Sequence, residues 1–208
     1  MTRKPGSVSA ETKAAILSSA QEEFSEKGFQ GASLRTIASN AGVTTGAIYC
    51  FFKGKDELFE AVLLEATEPF MDFLNRHYEY EISIIGTTRT RDKDIDYVIS
   101  SNIINFYFKN RKTWDIIIKH TGHPVVKKFT EYFINSSVSH YMAMIKILRN
   151  LDDEALEGYR FAITQFVRIQ AETTASLFSA GFTKKEMTKH SATSIKMLRG
   201  AFHALLEE

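Results

Sequence analysis

The stretch AGVTTGAIYCFFKGKDEL, Ala41 to Leu58, carries Gly42, Gly46 and Gly54, the pair Thr44-Thr45, and the aromatic residues Tyr49, Phe51 and Phe52. Its first acid is Asp56. Read backwards from there, the segment from Lys27 to Lys55 contains Lys27, Arg35, Lys53 and Lys55 and no Asp or Glu. Acids crowd on both sides, with Glu22, Glu23 and Glu26 before it and Asp56, Glu57 and Glu60 after it. The formal net charge is only +1, so bulk charge does not announce a polyanion partner. A local window of uncancelled positive charge is nevertheless what a phosphate-facing surface needs.

The glycines divide this region into short helices. Ser33 is placed to cap one helix, LRTIASNA, whose buried side is Leu34, Ile37, Ala38 and Ala41. Gly42 permits a sharp turn and Val43 anchors it. Thr44 then caps a second short helix, TGAIYCF, and Gly54 breaks the chain again. Two short helices joined by a glycine-containing turn are the sequence form of a helix-turn-helix. Ile48 and Phe52 are four residues apart, share one face, and are expected to pack on Ile37, Ala38 and Phe24. Thr45, Gly46, Tyr49 and Cys50 are left on other faces, with Phe51 at the helix end. Gly46 and Ala47 are small enough for the backbone to approach base edges. Thr44 and Thr45 bring hydroxyls and free N–H groups to a helix start, where they suit phosphate oxygens. Tyr49 offers a phenolic donor, against the alternative of a buried tyrosine with an internal partner. Lys55 offers an ammonium at the start of the next helix, against the alternative of a simply solvated lysine.

The rest of the chain reads as helix too. A first helix is expected from about Ala10 to Lys27, capped by Ser9, with Ile16, Ala20 and Phe24 on one face and Gly28 as its left-handed stop. A fourth begins at Asp56, with acids in its first turn. A loop is expected near 86–92, then helices over about 95–109, 113–120, 124–148, 154–180 and 184–206. There is no sustained strand alternation and no hairpin dipeptide. With 44% hydrophobic and 25% charged residues over 208 positions, the fold class is all-α with a substantial core.

The segment from Glu11 to Leu63 resembles the N-terminal DNA-binding domain of the TetR family of transcriptional regulators. The residues that carry the resemblance are Ile16, Ala20, Phe24, Gly28-Phe29, Ser33, Ile37-Ala38, Ala41-Gly42-Val43, Gly46, Ile48-Tyr49, Phe52, Lys53, Lys55 and Leu58. The resemblance implies a three-helix helix-turn-helix DNA-binding domain over 1–55 and a larger helical ligand-binding and dimerisation domain over 56–208. It implies a homodimer that binds a palindromic double-stranded DNA operator and responds to a small-molecule effector. By motif position the DNA-binding residues are Ser33, Arg35, Thr36, Thr44, Thr45, Gly46, Tyr49, Cys50, Phe51 and Lys55. The chain departs from the family at Cys50 and Phe51, where members often carry polar or hydrogen-bonding aromatic residues. Phe51 cannot donate a hydrogen bond, and contact with a thymine methyl is one reading. Cys50 reads as a small, weakly polar residue or as a redox-sensitive thiol.

In the larger part, Phe106, Tyr107, Trp114, His120, Phe133 and Tyr141 are candidate ligand contacts, with plain core as the alternative. The two last helices are apolar over more than one side. Such helices need a partner besides their own domain, and the resemblance supplies a second copy. A phosphate-binding loop, a dinucleotide fingerprint, a nucleophile elbow and the zinc-protease motif are all missing, so no catalytic residue, cofactor or metal is expected and the chain reads as a non-enzyme. Its one cysteine, the lack of an apolar leader in MTRKPGSVSAETK, and the lack of an apolar run of membrane-spanning length point to the cytoplasm. A helical interaction protein, or an activator using the same head, is the alternative function.

Overall fold

A computed structural model describes residues 10–90 and 94–207, and all regular structure among them is helical. The helices are α1 (Ala10–Gly31), α2 (Leu34–Asn40), α3 (Thr45–Tyr49), α4 (Lys55–Thr88), α5 (Ile95–Lys109), α6 (Arg111–Lys119), α7 (Pro124–Arg149), α8 (Asp153–Glu157), α9 (Arg160–Ser179) and α10 (Lys184–Glu207). Ser9, the expected cap of α1, and residues 91–93 of the expected loop lie outside the described residues.

Three expected boundaries differ, each for a local reason. The expected stop at Lys27 is a kink rather than an end: Gly28 adopts φ 68°, ψ 174°, and helical turn resumes as far as Gly31. Only a residue without Cβ takes this conformation without strain. The expected loop starts later, because α4 runs on through Gly86 to Thr88. The single helix expected over 154–180 is two. Asp152 caps α8 by accepting the Ala155 N–H at 2.9 Å, and Gly158 closes that turn before α9 begins at Arg160.

The chain forms two compact units. The first comprises residues 1–68 with 110–126. Its interior is Ile16, Ala20, Phe24, Ile37, Ile48, Leu58, Phe59 and Val62, all fully buried. Phe24 and Phe29 each meet the Phe59 ring edge-on with centroids 5.0 Å apart. Two buried polar groups tie α2 to α1: the Ser19 hydroxyl donates to the Ile37 carbonyl at 2.9 Å, and Glu23 accepts the Ser33 N–H at 3.1 Å. α6 packs on α1 in this unit, burying Trp114, Ile116 and Ile117. Gln21 donates to the Thr113 hydroxyl at 2.7 Å, and Lys112 pairs with Glu22.

The second unit comprises residues 69–109 and 127–208. Its core is built from Ile85, Ile134, Val138, Tyr141, Met144, Ile145, Ile163, Phe166, Val167 and Phe202. α10 packs on both α5 and α9. Glu81, 2% exposed, accepts from His140 at 3.0 Å and has His77 3.7 Å away, so its carboxylate is buried with partners, as a buried charge must be. The Tyr78 ring stacks on His140 at 4.1 Å and its hydroxyl bonds Ser137 at 2.9 Å. Burial pushes the Tyr78 phenol above its ordinary pKa.

Candidate nucleic-acid interface

The second and third helices of the first unit are held by the caps their sequences supply. The Ser33 hydroxyl accepts the Thr36 N–H at 3.4 Å, and the Thr44 hydroxyl accepts the Ala47 N–H at 3.3 Å. Between them Gly42 takes φ 67°, and the Val43 N–H reaches back to the Ala38 carbonyl at 2.9 Å. Ile48 is fully buried and Phe52 is 4% exposed. These two side chains set the rotation of α3 and leave its other faces outward.

What faces outward is polar, small or hydrogen-bonding. Ser33, Arg35, Thr36, Thr44, Gly46, Tyr49 and Cys50 are exposed, with Tyr49 at 56%. Thr45 and Phe51 are half-buried, and Phe51 leans on Phe52 with ring centroids 6.1 Å apart. The Cys50 thiol donates to the Gly46 carbonyl at 3.4 Å, so it is turned along its own helix. Lys55 is half-buried; its ammonium donates to the carbonyls of Gln30 and Ala32, both at 3.2 Å, and sits 4.9 Å from the centroid of the Phe29 ring. Two of the three N–H donors of an ammonium are thus engaged on the end of α1. Lys53, left out of the expected contact set, is exposed, while its backbone N–H is capped by Glu57 at 2.7 Å. Ser39 and Asn40 are exposed at the end of α2 as well. Lys53 belonged to the acid-free window and was legible there; Ser39 and Asn40 carry no such signal.

The six candidate ligand contacts do not come together. Trp114 and His120 lie in the first unit, on and just after α6. His120 uses both ring nitrogens there. Nδ1–H donates to the Ile116 carbonyl at 2.8 Å, and Nε2 accepts the Phe29 N–H at 3.1 Å. His123 stands 4.5 Å from the Phe29 ring and 4.6 Å from the Phe59 ring; burial holds its pKa below the ordinary imidazole value, with Asp56 opposing.

Phe106 and Phe133 flank Phe70 in the second unit, at 5.6 and 6.4 Å. Tyr107 is 1% exposed, stacks on Phe178 at 4.1 Å and donates to the Phe178 carbonyl at 3.0 Å. Tyr141 alone of the six lines a cavity of about 100 Å³ among α5, α7, α9 and α10. Most of that cavity comes from residues not offered as ligand contacts, among them Asp96, Phe166, Gln170, Thr174, Leu177 and Arg199. The usable signal was the spacing of Phe166, Gln170, Thr174 and Leu177 on one helical face, which mixed apolar and polar residues and so did not read as aromatic lining.

A buried Ile48–Phe52 stripe beneath an exposed Thr44–Tyr49 face, carried on a capped pair of short helices, defines a helix-turn-helix head on an all-helical chain. Residues 16–62 match the family model of bacterial regulatory proteins, tetR family. Through this head the chain is similar to the TetR family. It is 42% identical over 74 residues to the HTH-type transcriptional regulator SrpR of Pseudomonas putida, 35% of each chain. It is 40% identical over 67 residues to the HTH-type transcriptional repressor BepR of Brucella suis, 32% of each chain. The matched stretch therefore spans about a third of the length of these relatives. Likeness of fold extends further. Salmonella enterica GusR superposes with a TM-score of 0.64 at 19% identity over 99% of this chain and 100% of that one. SmeT, the repressor of the Stenotrophomonas maltophilia multidrug efflux pump SmeDEF, superposes with a TM-score of 0.60 at 19% identity, covering 92% of this chain and 91% of that one.

Proposed function

We propose that the chain is a ligand-responsive transcriptional repressor that binds a palindromic DNA operator as a homodimer and leaves it when a small-molecule inducer binds. The observation that carries this is the exposed, acid-free face of α2 and α3, bearing Arg35, Thr36, Thr44, Gly46 and Tyr49 over a fully buried Ile48. Gly46 and Ala47 admit a base edge closely. Ser33, Thr36, Thr44, Thr45 and Tyr49 supply hydroxyls to phosphates. Cys50 and Phe51 bring weakly polar and apolar surface to the groove. Lys55 keeps one N–H beyond its two carbonyl partners. We keep 1–55 as the functional DNA-binding domain and 56–208 as the ligand-binding and dimerisation domain.

Support for the dimer comes from the last two long helices. Phe161 and Ile169 on α9 are 76% and 55% exposed, and Met197 on α10 is 72% exposed. Apolar side chains left this open on adjacent helices suit a second copy related by a two-fold axis. That axis also matches two recognition helices to half-sites about 34–36 Å apart, or a multiple of it. Binding of the inducer in the second unit favours a dimer conformer that fits the operator poorly, and the effect is a population shift. The protein acts in the cytoplasm, needs no cofactor or metal, and catalyses no reaction. Among the described residues no helix is long and apolar enough to cross a membrane.

The test is to incubate the full chain with fragmented genomic DNA and sequence what it retains. A regulator retains a few palindromic sequences. On a retained site, Tyr49→Phe weakens binding at all sequences if its hydroxyl holds a phosphate. Retention without sequence preference, or no retention, overturns the proposal.

A further inference from the structure

The end of α1 is held by a neutral imidazole. At Gly28 the backbone takes φ 68°, ψ 174°, which turns the Phe29 N–H out of the helical ladder. That N–H donates at 3.1 Å to His120 Nε2, from the turn after α6 in the same compact unit. A main-chain N–H can only donate, so Nε2 is the bare nitrogen. The ring proton then sits on Nδ1 and goes to the Ile116 carbonyl at 2.8 Å. The tautomer is fixed by its two partners. An imidazolium carries N–H at both positions and cannot accept. Protonation at Nε2 therefore replaces a hydrogen bond with two opposed N–H groups, and the half-buried Phe29 amide loses its acceptor.

The turn held in this way leads straight into the DNA-facing helices. Lys55, at the start of α4, donates to the carbonyls of Gln30 and Ala32, both at 3.2 Å. Glu23 accepts the Ser33 N–H at 3.1 Å, and the Ser33 hydroxyl caps α2 through the Thr36 N–H. The chain from 29 to 33 is thus pinned by His120 at one end, Lys55 in the middle and Glu23 at the other. Of these side-chain types only an imidazole ordinarily changes charge between about pH 5 and 8. Around the His120 ring stand Phe59 of α4, at 5.7 Å, and His123 in the turn between α6 and α7. Burial holds His123 below the ordinary imidazole value, Asp56 opposes, and His120 adds a further push downward, so charge on one ring disfavours charge on the other. The Lys55 ammonium, 4.9 Å from the Phe29 ring centroid, is a standing positive charge on this turn. The carboxylate here, Asp56, faces His123 at 3.8 Å and is 84% exposed, so it offers His120 little compensation.

We infer that His120 is a positioning residue for the helix-turn-helix: its neutral form locks the turn that leads into α2, and acidification unlocks that turn and weakens operator binding. The inference rests on the reading of α2 and α3 as the DNA-reading face, and it adds the proton as a regulator of that face. Its direction is opposite to bulk electrostatics. Lowering the pH adds positive charge to histidines throughout the chain, and added positive charge tightens binding to phosphates. The lock demands looser binding in acid.

Two readouts on the full chain test this. The first is amide hydrogen exchange without DNA, corrected for the intrinsic pH dependence of exchange. Protection at Phe29 should fall about fivefold or more between about pH 8 and about pH 5.5, while the core amide of Phe24 holds. In His120→Gln, whose side-chain oxygen can accept the same N–H and does not titrate, Phe29 protection should not change with pH. The second readout is affinity at fixed salt for an operator retained from genomic DNA. The parent chain should lose about fivefold or more over the same pH range. His120→Gln should stay within about twofold of the parent at the upper pH and keep that affinity in acid. His120→Leu, which has no acceptor, should bind weakly at both. If a variant fails to fold, the parent's Phe29 protection still decides. Constant Phe29 protection, a loss shared equally by Phe24, operator affinity that holds or rises in acid, or a His120→Gln profile that falls as the parent's does overturns the inference. If the operator is selected with the same affinity at every pH, this inference falls and the regulator reading stands. If Phe29 protection follows pH through His120 and no DNA is selected, the titrating lock stands and the regulator reading falls.

Discussion

The two compact units solve the problem of burial differently. In the first, Ile16, Ala20, Phe24, Ile37, Ile48, Leu58, Phe59 and Val62 are sealed, and the buried polar atoms of Ser19 and Glu23 have backbone partners. In the second, a cavity opens among four helices and Phe161, Ile169 and Met197 stand out from two of them. The second unit instead has a cavity of about 100 Å³ and exposed apolar side chains on two helices. In the regulator proposed above, the sealed unit would read DNA and the looser one would take the inducer and the second copy.

This contrast can be broken at its strongest point first. Phe24→Ala removes a fully buried ring that meets Phe59 and should lower stability by about 3–5 kcal/mol, measured by denaturant unfolding. A loss below about 1 kcal/mol would mean the head is not close-packed. In the body, Ile169→Lys with Met197→Glu should halve the mass seen in sedimentation while helical content stays near that of the parent chain. An unchanged mass would show that these faces do not carry the dimer.

Smaller effects sharpen the picture of the head. Lys55→Met deletes two charged donors from the end of α1, and a loss of about 1–2 kcal/mol is expected even without DNA. Thr44→Ala should cost about 1 kcal/mol through its cap, whereas Tyr49→Phe, at an exposed position, should stay within about 0.5 kcal/mol and register in DNA binding alone. The smallest effect is in pH. His123 has its folded pKa depressed by burial, with Asp56 opposing. Above the unfolded pKa of about 6.5 both states are neutral and its contribution is flat. As pH falls below that value the unfolded chain takes up the proton first, so stability declines with acid until the folded pKa is reached. His123→Gln should shallow this slope between about pH 6.5 and the depressed folded value in urea titrations.

Much of the head was legible because its signals are local. Ser33 and Thr44 cap what they were expected to cap, Gly42 turns the chain, and the four-residue spacing of Ile48 and Phe52 sets which face is buried. Lys55 was harder, because its two carbonyl partners are 25 and 23 residues away in sequence and no periodicity points to them. The body was legible as helices and much less as a site. The aromatic residues were open to two readings, lining or plain core, and Tyr107, Phe106 and Phe133 pack their rings against Phe178 and Phe70. The space lies instead between helices brought together by tertiary packing, where threonine, serine and glutamine edge the gap. Trp114 and His120 were grouped with the body because of where they fall in the chain, but α6 packs on α1. Chain order could not reveal that excursion.

The seam between His120 and the end of α1 has a consequence for which substitutions the chain can carry. The imidazole grips a main-chain amide at 29, and every amino acid but proline provides one, so the bond is blind to the side chain there. At position 28 the opposite holds. A methyl group built on that glycine would stand 3.2 Å from Nε2, on a backbone already turned to φ 68°. Variation at 28 is thus strained by torsion and asks the imidazole to give by a few tenths of an ångström, while the adjoining bond tolerates almost any neighbour that the surrounding rings accept.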